Sequence, residues 1–253
     1  MATSIRFRAL RRRDDHDFYD GSVRSASEHV FVARLGGSFL ASNRVAAAQR
    51  LDAPAAEWLA GFLDAEGCLR IRPNNRGTTW TCELKVKVRD DDAALIVDLH
   101  RSTGLGYVRP VAARGGSKPQ AEWTIQTKDE CAAFAALLRK HPLRGRKRLD
   151  AEIWCQAVAT WAASPRRMSA ADAARLTDLS DRLRQARRYT GNRMAAPVLA
   201  RGSLADYFGG FFAGDGYLGL TDSRAVAVVK IRRDDRPLLE LLSASLASDW
   251  SAT

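Results

Sequence analysis

Two apolar stretches carry a pair of small residues in the middle and end on an acid followed by glycine: WLAGFLDAEGCLRI at 58–71 and YFGGFFAGDGYLGL at 207–220. Leu59, Phe62 and Leu63 stand at helical spacing, with Pro54 in the first turn and Gly67 as the stop, so the first stretch predicts a short buried helix. Ala60 with Gly61, and Gly209 with Gly210, would let two such helices approach backbone to backbone. Their ends are electrically unusual. A helix C-terminus is partly negative, so Asp64 and Glu66 would each cost about 0.3 to 1 kcal/mol there if exposed. A positive partner is expected beside them.

A further echo turns this coincidence into a duplication. VKVRDDDAALIVDL at 86–99 returns as VKIRRDDRPLLELL at 229–242, with half of the positions identical. Two motifs in the same order, differing in spacing by no more than a hairpin loop, point to repeated domains in which Glu66 and Asp215 are equivalent.

Charge narrows the partner. With 40 Lys plus Arg against 29 Asp plus Glu, the net charge of +11 and a pI near 10.0 favour a polyanion, nucleic acid first. No apolar run is long enough for a membrane span and the N-terminus lacks the apolar core of a secretory signal, so a cytoplasmic protein without membrane contact is expected. Cys68, Cys82, Cys131 and Cys155 form no CxxC pair and stand apart from the histidines. They predict four reduced thiols, most of them filling the core, with no zinc or redox site.

LAGFLDAEG at 59–67 and FGGFFAGDG at 208–216 resemble the two signature helices of a LAGLIDADG homing endonuclease of the single-chain, two-repeat type. HPLRGRKRLDAEIW at 141–154 is similar to the segment that follows the sheet in that family. Ala213 replaces the family's first acid, and Glu66 replaces the more common Asp. The resemblance implies an α+β fold, the αββαββα saddle duplicated about a pseudo-twofold axis in a monomer.

The residues of the first repeat agree. CLRIRP alternates Leu69 and Ile71 with Arg70 and Arg72, and TCELKVKVR alternates Cys82, Leu84, Val86 and Val88 with Glu83, Lys85, Lys87 and Arg89. Each predicts a strand with one apolar and one largely basic face. Residues 91–102 predict a helix, 106–111 and 122–127 two more strands, and DECAAFAALLRK, 149–162 and 169–189 further helices. Thr124 and Gln126 fall on the polar face. A sheet face bearing Arg70, Arg72, Lys85, Lys87, Arg89, Thr124 and Gln126, with Lys230 and Arg232 in the second copy, suits the width of the DNA major groove.

Two like charges meeting at the helix interface need compensation, and Mg²⁺ held by Glu66 and Asp215, with Gly67 and Gly216 beside them, would supply it. The function implied is site-specific, metal-dependent hydrolysis of double-stranded DNA, one acid serving each strand. From the family pattern, Lys147, next to Arg146, is the basic residue expected at the centre. A homing enzyme of this kind belongs to a mobile intron or a free-standing mobile element. The rivals are a cleavage-deficient DNA-binding remnant of the same fold and a maturase that holds intron RNA.

The organisation expected is a basic extension at 1–53 without a family motif, a first repeat at 54–163, an Arg-rich helical linker at 164–203 and a second repeat at 204–253. The second repeat ends where its third strand should begin. Half of its sheet would then be missing, leaving an open strand edge and uncovered apolar surface.

Overall fold

The computed structural model describes residues 2–8, 51–74, 79–165, 167–188, 204–221, 224–232 and 235–250. Strand β1 (Ala2–Arg8) comes first, followed by the first repeat: α1 (Ala53–Glu66), β2 (Cys68–Asn74), β3 (Thr79–Arg89), α2 (Ala93–Thr103), β4 (Tyr107–Val111), β5 (Gln120–Ile125) and α3 (Lys128–Lys140). After α4 (Lys147–Ala163) and α5 (Ala170–Ala186), the pattern restarts with α6 (Leu204–Asp215), β6 (Gly216–Thr221), β7 (Arg224–Arg232) and α7 (Arg236–Trp250). Both copies open helix, hairpin, helix.

Local chemistry explains the boundaries. The Asp52 side chain accepts from the Ala55 amide at 2.9 Å and starts α1. Gly67 ends that helix for lack of space: its φ is −65°, open to any residue, but a β-carbon there would stand 2.6 Å from the Leu63 carbonyl oxygen. The strand expected at 122–127 lies at Gln120–Ile125 instead. Thr127 is taken by the start of α3, where its hydroxyl donates to Glu130 at 2.8 Å and accepts from the Glu130 amide at 3.4 Å.

The first sheet is antiparallel throughout in the order β2-β3-β5-β4. Its apolar face, with Leu69, Ile71, Leu84, Val86, Trp123 and Ile125, is buried, and the core continues through Phe62, Phe134 and Trp154. Cys82, Cys131 and Cys155 sit in it as free thiols, and burial pushes Cys82 up to about 12 and Cys155 up to about 11. The Arg-rich linker helix α5 belongs to the same layer. Leu176, Leu179 and Leu183 are buried, the Ser180 hydroxyl donates to the Ile71 carbonyl at 3.3 Å, and Arg187 reaches Asp150 at 2.9 Å and the Leu69 carbonyl. It therefore covers the back of the sheet, opposite the basic face.

The second half is covered differently. Leu69 and Ile71 are 4% and 6% exposed, whereas Leu218 and Leu220, their equivalents in β6, are 70% and 81% exposed. Large apolar side chains of β6 therefore face solvent. The sheet itself has a third strand, from an unexpected source. The basic extension expected at 1–53 opens on β1, which runs antiparallel to β7 and gives the order β1-β7-β6. The remainder of that extension, residues 9–50, lies outside the described residues. Among the described residues no helix is long and apolar enough to cross a membrane.

Candidate functional site

Helices α1 and α6 pack along their lengths with pseudo-twofold symmetry. A β-carbon on Gly61 would stand 1.9 Å from the Tyr207 carbonyl oxygen, and one on Gly210 would stand 1.8 Å from the Trp58 carbonyl oxygen. Trp58 and Tyr207 occupy the same position in the two motifs, so the contact is reciprocal. Ala60 is buried beside Gly61, and Gly209 lies against the Trp58 ring, its imagined β-carbon 3.3 Å from Cδ1. Side chains larger than hydrogen at Gly61 or Gly210 would separate the backbones.

Close packing continues to the helix tips. A β-carbon on Gly214 would lie 2.4 Å from Ala65 Cβ and 3.1 Å from Glu66 Cγ. Glu66 and Asp215 consequently share one electrostatic environment. Burial raises the Glu66 pKa and the Asp215 charge raises it further, while Lys147 pulls the other way. Asp215 is likewise raised by burial against the opposing pull of Lys147 and Arg146. Gly67 and Gly216 follow the acids in tight backbone: a β-carbon on Gly216 would stand 2.2 Å from the Phe212 carbonyl oxygen.

The positive partner comes from the first turn of α4. Lys147 Nζ donates to the Ala65 carbonyl at 2.5 Å, satisfying an orphan acceptor at the end of α1. Burial lowers its pKa, and the charges of Asp64, Asp215 and Glu66 oppose that fall. Beside it, the Arg146 amide donates to Asp235 at 2.8 Å.

A buried polar network fixes the loop that delivers Lys147. Asp64 accepts from the Arg144 amide at 2.9 Å, from the Gly145 amide and from the Tyr207 hydroxyl. The Arg144 guanidinium lies 4.8 Å from the Tyr207 ring centroid and bonds Glu57, which also meets His141 Nδ1 at 2.9 Å. Acids of α1 thus tie the turn before α4 to both helices of the interface.

On the polar face of the first sheet, two buried carboxylates hold the cations. Glu83 pairs with Arg70 and Arg72, both at 3.1 Å. Glu122 pairs with Arg109 at 2.7 Å, Lys85 at 3.2 Å and Lys87 at 3.3 Å. Burial by itself would raise Glu122, but hydrogen bonds from Arg109 and Lys85 outweigh it and hold the carboxyl down at about 2. Five cations on two acids leave the face positive and its forks oriented. Arg89 is bonded to Asp91, and Gln126 and Lys230 are exposed. Arg232 lies in β7, its side chain outside the described ones. Thr124 departs from expectation: it is fully buried and its hydroxyl donates to Glu122 at 3.1 Å, so it supports the acid and offers nothing to a base edge.

Residues 59–158 match the family model of the LAGLIDADG endonuclease. The likeness to the LAGLIDADG endonuclease family is carried by the first repeat. Its fold resembles that of I-SmaMI bound to an uncleaved DNA target in the presence of calcium ions, at 18% identity and a TM-score of 0.55 over 78% of this chain and 74% of that one. The LAGLIDADG meganuclease I-CpaMI bound to uncleaved DNA gives 15%, 0.53, 75% and 71%. I-GzeII in complex with its DNA target gives 12%, 0.50, 70% and 78%. At these identities the likeness is one of fold. No curated protein matches the sequence.

The two helix ends suit a hard divalent cation. Glu66 and Asp215 are partly desolvated at the helix tips yet keep access to solvent, both carry raised pKa values, and among the described residues no set of three or more His, Cys, Asp and Glu side chains could hold a metal alone. Two carboxylates with the other positions left to water and phosphate match what such a cation accepts. Sequence reading missed Asp64, Tyr207, Arg144 and Glu57 as a network. A glutamate at 57 inside an apolar helix was the available signal, since buried acids need partners.

Proposed function

We propose that the chain is a site-specific DNA endonuclease of the homing type, with the repeats at 54–163 and 204–253 each facing half of a target duplex. The observation that carries this reading is the meeting of Glu66 and Asp215 at the tips of two tightly packed helices, beside a sheet whose open face is cationic.

In this reading the sheets position the duplex and the acids act on its backbone. Arg70, Arg72, Lys85, Lys87, Arg109 and Lys230 neutralise phosphates or reach base edges, and Gln126 adds a donor and an acceptor. Glu66 and Asp215, with the backbone at Gly67 and Gly216, would hold Mg²⁺. A divalent cation there supplies the Lewis acidity that activates water and polarises the phosphodiester. Lys147, anchored on the Ala65 carbonyl, directs positive charge at the same point and balances charge developing on the phosphate. Each carboxylate serves one strand, so the pair cuts both.

The test is selection of cleaved sites from a random duplex library with Mg²⁺, run in parallel with Glu66→Gln and Asp215→Asn. Recovery of a defined site from the wild type, lost in the variants while binding remains, supports the nuclease. Binding without cutting by the wild type replaces it with a DNA-binding protein, and preference for folded intron RNA replaces it with a maturase.

A further inference from the structure

β1 stands in the second sheet where β5 stands in the first. β5 runs antiparallel to β3 with Gln120 opposite Arg89, Glu122 opposite Lys87 and Thr124 opposite Lys85. β1 runs antiparallel to β7 with Ala2 opposite Arg232, Ser4 opposite Lys230 and Arg6 opposite Val228. The repeated sequence aligns Arg232 with Arg89, Lys230 with Lys87 and Val228 with Lys85. Ser4 thus takes the place of Glu122, and Arg6 that of Thr124. Arg8, opposite Val226, falls one pleat beyond the first ladder, at the place of Gln126.

The alternation fits this register. Thr3, Ile5 and Phe7 take the places of Ala121, Trp123 and Ile125, which are buried in the first half. Ser4, Arg6 and Arg8 take the places on the polar face. The order of the chain differs between the halves: β5 follows its hairpin through α2 and β4, whereas β1 enters from the opposite end of the sequence. The third strand of the second sheet thus comes from the N-terminal stretch of the sequence.

Charge makes this more than a structural patch. In the first sheet Glu83 and Glu122 neutralise part of the cationic face. In the second sheet Val226 stands at the position of Glu83 and Ser4 at that of Glu122, while two arginines are added. The second face therefore lacks carboxylates at both register positions that hold cations in the first, which suits it to a polyanion.

We infer that β1 is a nucleic-acid-contacting strand, in which Ser4, Arg6 and Arg8 join Lys230 and Arg232 to grip the half of a duplex that lies on the second sheet. This rests on the DNA-binding reading above. Arginine on a pleated face reaches phosphates and can fork onto a guanine edge.

The experiment compares the full-length wild type, an Arg6→Gln/Arg8→Gln variant and an Arg70→Gln/Lys87→Gln variant on the duplex selected by the wild type. Footprinting and salt titration are the readouts, with amide exchange over residues 4–8 as the check on strand pairing. The first variant is expected to lose protection over one half-site only, with β1 amides still protected and a salt slope lower by about 2. The second is expected to lose the other half-site. An unchanged footprint and slope for the Arg6/Arg8 variant, with the Arg70/Lys87 variant still impaired, overturns the role of β1 and leaves the DNA reading intact. Freely exchanging β1 amides in the DNA-bound wild type overturn it as well. Absence of any duplex binding by the wild type overturns the DNA reading itself, and this inference with it.

Discussion

Gly61 lies on the Tyr207 carbonyl as Gly210 lies on the Trp58 carbonyl, leaving 1.9 and 1.8 Å for the side chain that each glycine lacks. The obstructing atoms are backbone, so neither neighbour can rotate away. Gly61→Ala and Gly210→Ala are expected to cost about 3 kcal/mol or more each, because overpacking must push the helices apart. Gly209→Ala, facing a movable indole edge at 3.3 Å, should cost under about 1 kcal/mol. Urea denaturation of the three variants measures the difference.

The acid pair should be unfavourable to stability when no cation is bound. Both carboxyls are raised above their ordinary values, so the folded state holds protons that the unfolded state has already lost, and stability falls as pH rises through the raised values. Glu66→Gln and Asp215→Asn are expected to raise Tm at pH 7 in chelator and to flatten its pH dependence. Mg²⁺ should raise the Tm of the wild type and have little effect on the double variant. Thermal scans with and without chelator give both comparisons.

Glu122 acts in the opposite sense. Its carboxyl is held at about 2, below the ordinary value of 4.5, so its contribution is present above about pH 4.5 and is lost as pH falls toward 2. Glu122→Gln should cost about 1 to 3 kcal/mol at pH 7, less than a fully buried pair would, because Lys87 and Arg109 are about half in water. The stability curves of wild type and variant should converge in acid, which denaturation at pH 7, 4.5 and 3 checks.

Asp64 positions the loop that carries Lys147. Asp64→Asn removes a charge-assisted acceptor from two amides and the Tyr207 hydroxyl, at an expected cost of about 1 to 3 kcal/mol. Cleavage should slow by more than tenfold, about 1.4 kcal/mol of transition-state stabilisation, while binding changes little, since the cations of the first sheet's face are held by Glu83 and Glu122. Single-turnover kinetics beside a binding titration separate the two.

Local pattern made most of the first repeat legible. Small pairs gave the helix interface and alternation gave the strands, because each depends on residues a few positions apart. The polar face was read with one acid, Glu83, although Glu122 shares the alternation of Thr124 and Gln126; its weight appears only when three cations from β3 and β4 converge on it. TSIRFR carries the alternation of a strand, but its partner lies more than two hundred residues away and no local feature names it. The role of Asp64 was hidden for the same reason, since the amides it binds belong to a loop brought in by α3 and α4.

Strand-resolved cleavage of the selected duplex in Mg²⁺ tests the paired-acid centre most directly, using wild type, Glu66→Gln, Asp215→Asn and the double variant. Wild type should cut both strands, each single variant should lose at least about 100-fold in the rate of one or both, and the double variant should cut neither. Undiminished cutting of both strands by the double variant would contradict the assignment of Glu66 and Asp215 as the centre of this molecule.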